Sequence, residues 1–110
     1  MMWISAEKFE PGAVKVSQEL RDLMDLDVEA GRFVEDCLSR HCRGDWGSTS
    51  EAQAEANERA IELESQGKAT EAIRSRYSYP PRPAVEIVTD KDRRHTTISL
   101  ERRDGPWSCA

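Results

Sequence analysis

Five apolar positions set the clearest pattern in the chain. Ala30, Phe33, Val34, Cys37 and Leu38 recur at i, i+3, i+4, i+7 and i+8, which puts them on one helical stripe. The spacing predicts a helix over Val28 to His41, capped from Asp25 to Asp27. Ahead of it, Ser17 is the expected N-cap of a short helix with Leu20, Leu23 and Met24 on its apolar side. Residues 12–16 read as a short strand, because Val14 and Val16 share one face and Lys15 takes the other. Gly44 and Gly47 end the central helix. Two overlapping capping boxes, Ser48-Thr49-Ser50-Glu51 and Ser50-Glu51-Ala52-Gln53, open a third helix that runs to Glu64. Its apolar stripe is thin: Ala56, Ala60 and Ile61, with Asn57 beside it.

After Gly67 the period changes from helical to alternating. Ile73, Ser75, Tyr77 and Tyr79 alternate with Arg74, Arg76 and Ser78. Pro80-Pro81-Arg82-Pro83 is expected to interrupt the ladder as a turn. Val85, Ile87 and Thr89 alternate again, Asp90 to Arg94 form a charged turn, and Thr96, Ile98 and Leu100 make a last strand. The order predicts an α+β fold: a small antiparallel sheet, one N-terminal strand plus a three-strand C-terminal meander, covered on one face by two or three helices. Which later strand the first one joins is left open.

At 110 residues the chain is expected to be a single domain, 1–110, with its core over about 9–101 and a loose tail over 104–110. No apolar run approaches the roughly 18 residues of a membrane helix. Met1 to Lys8 is too short and too charged for a signal peptide, so a cytoplasmic location in a bacterial host is expected. The net charge of -5 is unevenly spread. Residues 1–72 hold 16 acidic and 8 basic side chains, whereas residues 73–110 hold 5 acidic and 8 basic. The acidic part favours basic protein partners, and the basic end leaves nucleic acid as an option. Three cysteines do not close a disulfide framework.

The block Leu38-Ser39-Arg40-His41-Cys42-Arg43-Gly44-Asp45-Trp46-Gly47 is the most distinctive stretch of the chain, a structural corner or a recognition site. It carries a resemblance. Phe9-Glu10-Pro11-Gly12-Ala13-Val14, then Arg40-His41-Cys42-Arg43-Gly44-Asp45-Trp46-Gly47, then Asn57 in an acidic helix, then Ile87-Val88-Thr89-Asp90-Lys91-Asp92-Arg93-Arg94-His95-Thr96-Thr97 follow an ordered pattern. In it the chain resembles a family of small proteins of bacteria, their plasmids and their phages, whose members often carry a label as a type I restriction subunit M. The resemblance spans Phe9 to Leu100, and the chain departs from the pattern at Arg94 and at Leu100-Glu101. It implies a mobile-element setting, in which small accessory proteins often act by binding host defence complexes. The subunit label does not fit, since a methyltransferase needs a cofactor-binding βα-repeat sheet and a Gly-rich strand-to-helix loop.

Several constellations are candidates for chemistry. Trp46 is either an interface anchor or a ring folded back on the core between Gly44 and Gly47. Cys37 and His41 share a helix face, but Cys42 lies roughly 140° from Cys37, so no four-ligand set forms unless Cys109 and His95 join. His41 itself is read as a helix C-terminal residue favoured by the macrodipole. A Cys37–His41 nucleophile pair is disfavoured by the burial expected for Cys37. Glu51, Glu55, Glu58 and Glu62 fall at i, i+4, i+7 and i+11 and form one carboxylate ridge. Arg74, Arg76, Arg93 and Arg94, with Tyr77 and Tyr79 nearby, are the candidate nucleic-acid surface.

The reading that results is a non-enzymatic protein without catalytic residues, metal or cofactor. It is an anti-CRISPR or anti-restriction inhibitor type of accessory protein, expected to bind a basic surface of a CRISPR or restriction complex through Trp46, Glu51, Glu55, Glu58 and Glu62. The alternative is a small nucleic-acid-binding protein using Arg74, Arg76, Arg93 and Arg94. No membrane partner is expected, and a homodimer through the sheet edge stays open.

Overall fold

Three side-chain caps begin the three helices. Ser17 Oγ accepts from the Leu20 amide at 3.3 Å, Asp27 Oδ1 from the Glu29 amide at 2.9 Å, and Ser50 Oγ from the Gln53 amide at 3.2 Å. Each replaces a partner the first helical turn lacks and contributes about 1 kcal/mol. In this computed structural model, which describes residues 8–101, the elements are β1 (Ala13–Val16), α1 (Gln18–Leu26), α2 (Val28–Cys42), α3 (Glu51–Ser65), β2 (Ile73–Tyr79), β3 (Arg82–Thr89) and β4 (His95–Leu100). The tail over 104–110 expected to be loose lies outside the described residues.

The sheet has the order β1-β4-β3-β2. The last three strands form the expected antiparallel meander, with Ile87 opposite both Ser75 and Ile98. β1 corrects the expectation of a wholly antiparallel sheet: it joins β4 in parallel, pairing Val14 with Thr96 and Val16 with Ile98. Parallel pairing needs a long crossover between partners, and the three helices between β1 and the meander provide it.

Alternation along the strands sorts the two faces. Ile73, Tyr77, Val85, Ile87, Ile98 and Leu100 point to the helices and are buried with Leu20 of α1, Val34 and Cys37 of α2 and Ala60 of α3. Burying each of the three isoleucines stabilises the fold by about 1.5–3 kcal/mol. The opposite face carries Arg74, Arg76, Glu86, Val88, Thr97 and Ser99, none of them buried.

β3 begins at Arg82, earlier than the proline run led one to expect. Only Pro80 and Pro81 form the turn. Pro83 is accommodated because β4 pairs with β3 only from Val85 onward and β2 is bulged between Tyr77 and Tyr79. α3 also differs from expectation in its buried stripe, which centres on Asn57 and Ala60, while Ala56 and Ile61 are half-buried.

Candidate functional site

The Arg40–Gly47 block leaves α2 and folds back under the sheet edge. Arg40 donates from Nε and Nη2 to the Asp45 carboxylate at 2.9 and 3.2 Å. The Arg40 guanidinium also lies 5.0 Å from the Tyr77 ring centre, and the Tyr77 hydroxyl donates to the Asp45 carbonyl at 2.8 Å. This pairing with Arg40 holds the Asp45 carboxyl below its usual range. Trp46 is 8% exposed and packs with Phe9, Ala60 and Ile73. Its indole N–H donates to Glu58 at 2.8 Å, so a buried ring keeps its polar atom satisfied.

The next three residues close the outer edge of β2. Gly47 forms a parallel bridge with Arg76, and the Ser48 amide donates to the Arg76 carbonyl at 2.7 Å. The Arg76 amide donates to Thr49 Oγ1 at 2.9 Å, while the Thr49 hydroxyl donates to the Trp46 carbonyl. The Ser78 amide donates to Ser48 Oγ at 3.3 Å. Asn57 completes the edge from α3: Oδ1 accepts from the Arg74 amide at 3.1 Å and Nδ2 donates to the Arg74 carbonyl at 2.7 Å. One carboxamide therefore satisfies both main-chain groups of Arg74, as a neighbouring strand does. An uncovered edge strand invites pairing with other chains, and here side chains occupy it.

Asn57→Ala is thus expected to destabilise the domain by about 2–3 kcal/mol, since it leaves two half-buried main-chain groups without their partner. Urea unfolding measures the loss. Faster hydrogen exchange at the Arg74 amide and association that grows with concentration are the accompanying signs of an opened edge.

His41 sits inside this scaffold, fully buried between Phe9 and Trp46, with ring centres 5.2 and 6.0 Å away. Its ring joins a chain of hydroxyls whose directions can be worked out from one end. The Thr96 hydroxyl donates to the Pro11 carbonyl at 2.7 Å. Thr96 therefore accepts from Thr89 at 2.7 Å, which leaves Thr89 to accept from His41 Nε2 at 2.9 Å. With the ring neutral, as its lowered pKa makes it, Nδ1 is the acceptor, and the Ser75 hydroxyl donates to it at 2.5 Å. Each hydroxyl proton is committed and the imidazole is neutral with its proton on Nε2. Burial, and after it the charge of Arg93, pushes the His41 pKa from 6.5 down to about 4. His41 lies in the last turn of α2 as expected, but a neutral ring draws no benefit from the macrodipole there.

The 87–97 motif serves the fold in the same way. Arg93 adopts φ 58° and its side chain is only 9% exposed. Nε donates to Glu64 at 2.9 Å, Nη1 to the carbonyls of Glu71 and Asp90, and Nη2 to Thr70, with the guanidinium 5.6 Å from the Phe9 ring centre. One arginine so ties the β3–β4 turn to the α3–β2 loop. The Asp90 carboxyl accepts from the Arg94 amide at 2.9 Å and is held below its usual range chiefly by that bond. Gly12 has the same close fit: a Cβ there would lie 2.6 Å from the Arg93 carbonyl oxygen.

The candidate residues sort as follows. Trp46 is a core residue with its donor used, which removes it as a surface anchor. Glu51, Glu55, Glu58 and Glu62 are all exposed, opposite Asn57 and Ala60, and form one ridge. Glu58 is committed to Trp46 and lies 4.0 Å from Lys8, whereas the side chains of the other three have no partner among the described residues. The basic set does not assemble. Arg93 is half-buried with its guanidinium spent on Glu64, Thr70 and two carbonyls, Arg76 is paired through two bonds with Glu101, and only Arg74 and Arg94 are exposed. Tyr77 is buried on the helix face and Tyr79 stacks on Phe33, so no aromatic platform accompanies them. Cys37 is buried and its thiol is pushed up to about 12, chiefly by burial, which suits a core residue and not a nucleophile. Among the described residues no three His, Cys, Asp or Glu side chains converge to hold a metal, and Cys109 lies outside them. None of the described helices is long and apolar enough to cross a membrane.

Sequence reasoning missed the edge-capping role of Asn57, although a polar residue beside an apolar stripe was its signal. It also missed two exposed aliphatic side chains, Leu26 and Val28, which carried none. In comparison with known proteins, no family model, no curated protein and no solved structure matches this chain.

Proposed function

We propose that this chain is a non-enzymatic binding protein, an accessory of a mobile element, that docks the carboxylates of α3 on a Lys/Arg-lined surface of a CRISPR or restriction complex. The observation that carries the reading is the free, solvent-facing row Glu51, Glu55 and Glu62, set opposite the buried stripe of a helix capped at both ends. At a rise of about 1.5 Å per residue the row extends roughly 16 Å along one side of the domain. Such a row attracts a basic surface over a distance and fixes its orientation on contact. The mobile-element setting comes from the motif resemblance and the partner class from the charge. Because His41, Trp46, Asn57 and Arg93 of the motifs are spent on holding the fold, Glu51, Glu55 and Glu62 can change without loss of it.

The test is a tagged pull-down from nuclease-treated bacterial lysate containing CRISPR and restriction complexes, read by mass spectrometry. The wild-type chain is expected to retain a stoichiometric defence subunit. The variant E51Q/E55Q/E62Q, which keeps Glu58 for Trp46, is expected to lose about tenfold or more of that binding, or 1.4 kcal/mol, with unchanged thermal stability. Equal retention by the variant rejects the ridge. Recovery of nucleic acid and no protein, when nuclease is omitted, rejects the protein-partner reading in favour of the exposed arginines Arg74 and Arg94.

A further inference from the structure

We infer that the corner where α1 meets α2 is a second docking surface, shaped for a basic amphipathic helix of a partner protein. Only three large hydrophobic side chains are strongly exposed among the described residues, and two of them flank a single residue: Leu26 at 87% and Val28 at 72%. The backbone between them is fixed. Asp27 caps α2 through the Glu29 amide and ion-pairs with Arg82 at 2.6 Å. Arg82 donates to the Tyr79 hydroxyl at 2.8 Å and lies 5.1 Å from its ring centre, and Tyr79 stacks on Phe33 at 4.0 Å with 8° between the planes. Two aliphatic groups held on a rigid corner lose little conformational freedom when they dock.

Beside this corner is an open cleft of about 540 Å³ lined by Glu29, Arg32, Phe33, Asp36 and Tyr79. Two carboxylates border a stacked aromatic pair, an arrangement that accepts a Lys or Arg side chain by ion pairing and cation–π attraction. The surroundings set the sign of the occupant. Asp22, Asp25, Glu29 and Asp36 are exposed around the patch, against Arg21 and Arg32. A second copy of this acidic chain would bring like charges together, whereas a helix with apolar residues on one face and Lys or Arg at its border meets both features at once. The surface uses no residue of α3, so it goes beyond the ridge reading and fails or survives independently of it.

The probe is a synthetic amphipathic helical peptide of Leu and Lys, titrated into the ¹⁵N-labelled chain, with a Ser/Lys peptide of equal charge as control. Amide shifts are expected over residues 26–36 and at Tyr79 and Arg82 with the Leu/Lys peptide and not with the Ser/Lys peptide. The variant L26S/V28S, changed only at exposed positions, is expected to keep the remaining amide spectrum and to bind about tenfold more weakly. Identical shifts from both peptides, shifts confined to Glu51–Glu62, or wild-type affinity of L26S/V28S would each overturn the inference.

Discussion

Gly47→Ala is expected to destabilise the domain by about 3 kcal/mol or more, from left-handed backbone strain and overpacking combined. Gly47 has φ +61°, a conformation that side chains with a Cβ rarely adopt. The added Cβ would also stand at the edge of the Tyr77 ring and 2.7 Å from the Arg76 carbonyl oxygen. Neither neighbour can yield: Tyr77 is packed in the core with its hydroxyl on Asp45, and the Arg76 carbonyl accepts from Ser48. Loss of this contact opens the β2 edge, so the damage is not local. Against a typical total stability of about 5–15 kcal/mol this is a large share. Gly31→Ala is the matched control. It lies inside α2 with open space where the Cβ would go, and the change is expected to stabilise by about 0.5–1 kcal/mol. Equilibrium unfolding of the two variants in urea reads both signs, and equal stabilities would refute the role given to the covered edge.

Acidification is expected to weaken the fold well before the carboxylates titrate. Unfolded His41 takes a proton near pH 6.5, while the folded chain does not until about pH 4. The unfolded state therefore binds more protons through that window, and stability falls as pH falls. The loss is about 2 kcal/mol at pH 5 and about 3 kcal/mol near pH 4, because each pH unit below 6.5 in that window costs about 1.36 kcal/mol. Asp27, Asp45 and Asp90 have lowered pKa values, so their contributions are lost only as pH falls through and below the usual 3.8. Unfolding free energies measured at pH 7 and pH 5 thus isolate the histidine. A flat profile between them would mean that the ring is not held neutral.

Most of the architecture was legible because it depends on local chemistry. The stripe Ala30, Val34 and Cys37 fixed α2, Ser17, Asp27 and Ser50 fixed the helix starts, and alternation fixed which strand residues face inward. The parallel placement of β1 was not legible, since its four residues pair with either edge equally well by pattern alone. The site was harder to read. Trp46 and Arg93 look like surface recognition residues in a string of letters, but long-range contacts with Glu58, Glu64 and Phe9 put them inside. The same holds for His41, whose partners Ser75 and Thr89 come from two different strands, with Thr96 of a third reached through Thr89. The ridge was legible because helical spacing alone sets it, although only three of its four carboxylates are free.

These placements converge on a division of labour. The Arg40–Gly47 block, Asn57, Arg93 and Thr96 hold the interior and the sheet edge together, and Glu51, Glu55 and Glu62 of α3 take no part in it. His41 is the point where the block bonds β2 and β3 and, through Thr89, reaches Thr96 of β4, so its ring is the most direct probe of that division. The measurement is a long-range ¹H–¹⁵N correlation spectrum of the histidine ring from pH 7 to pH 5. The expected result is a single neutral ring with its proton on Nε2, unchanged across that range. A His41 ring that titrates near pH 6.5, or carries its proton on Nδ1, would contradict it.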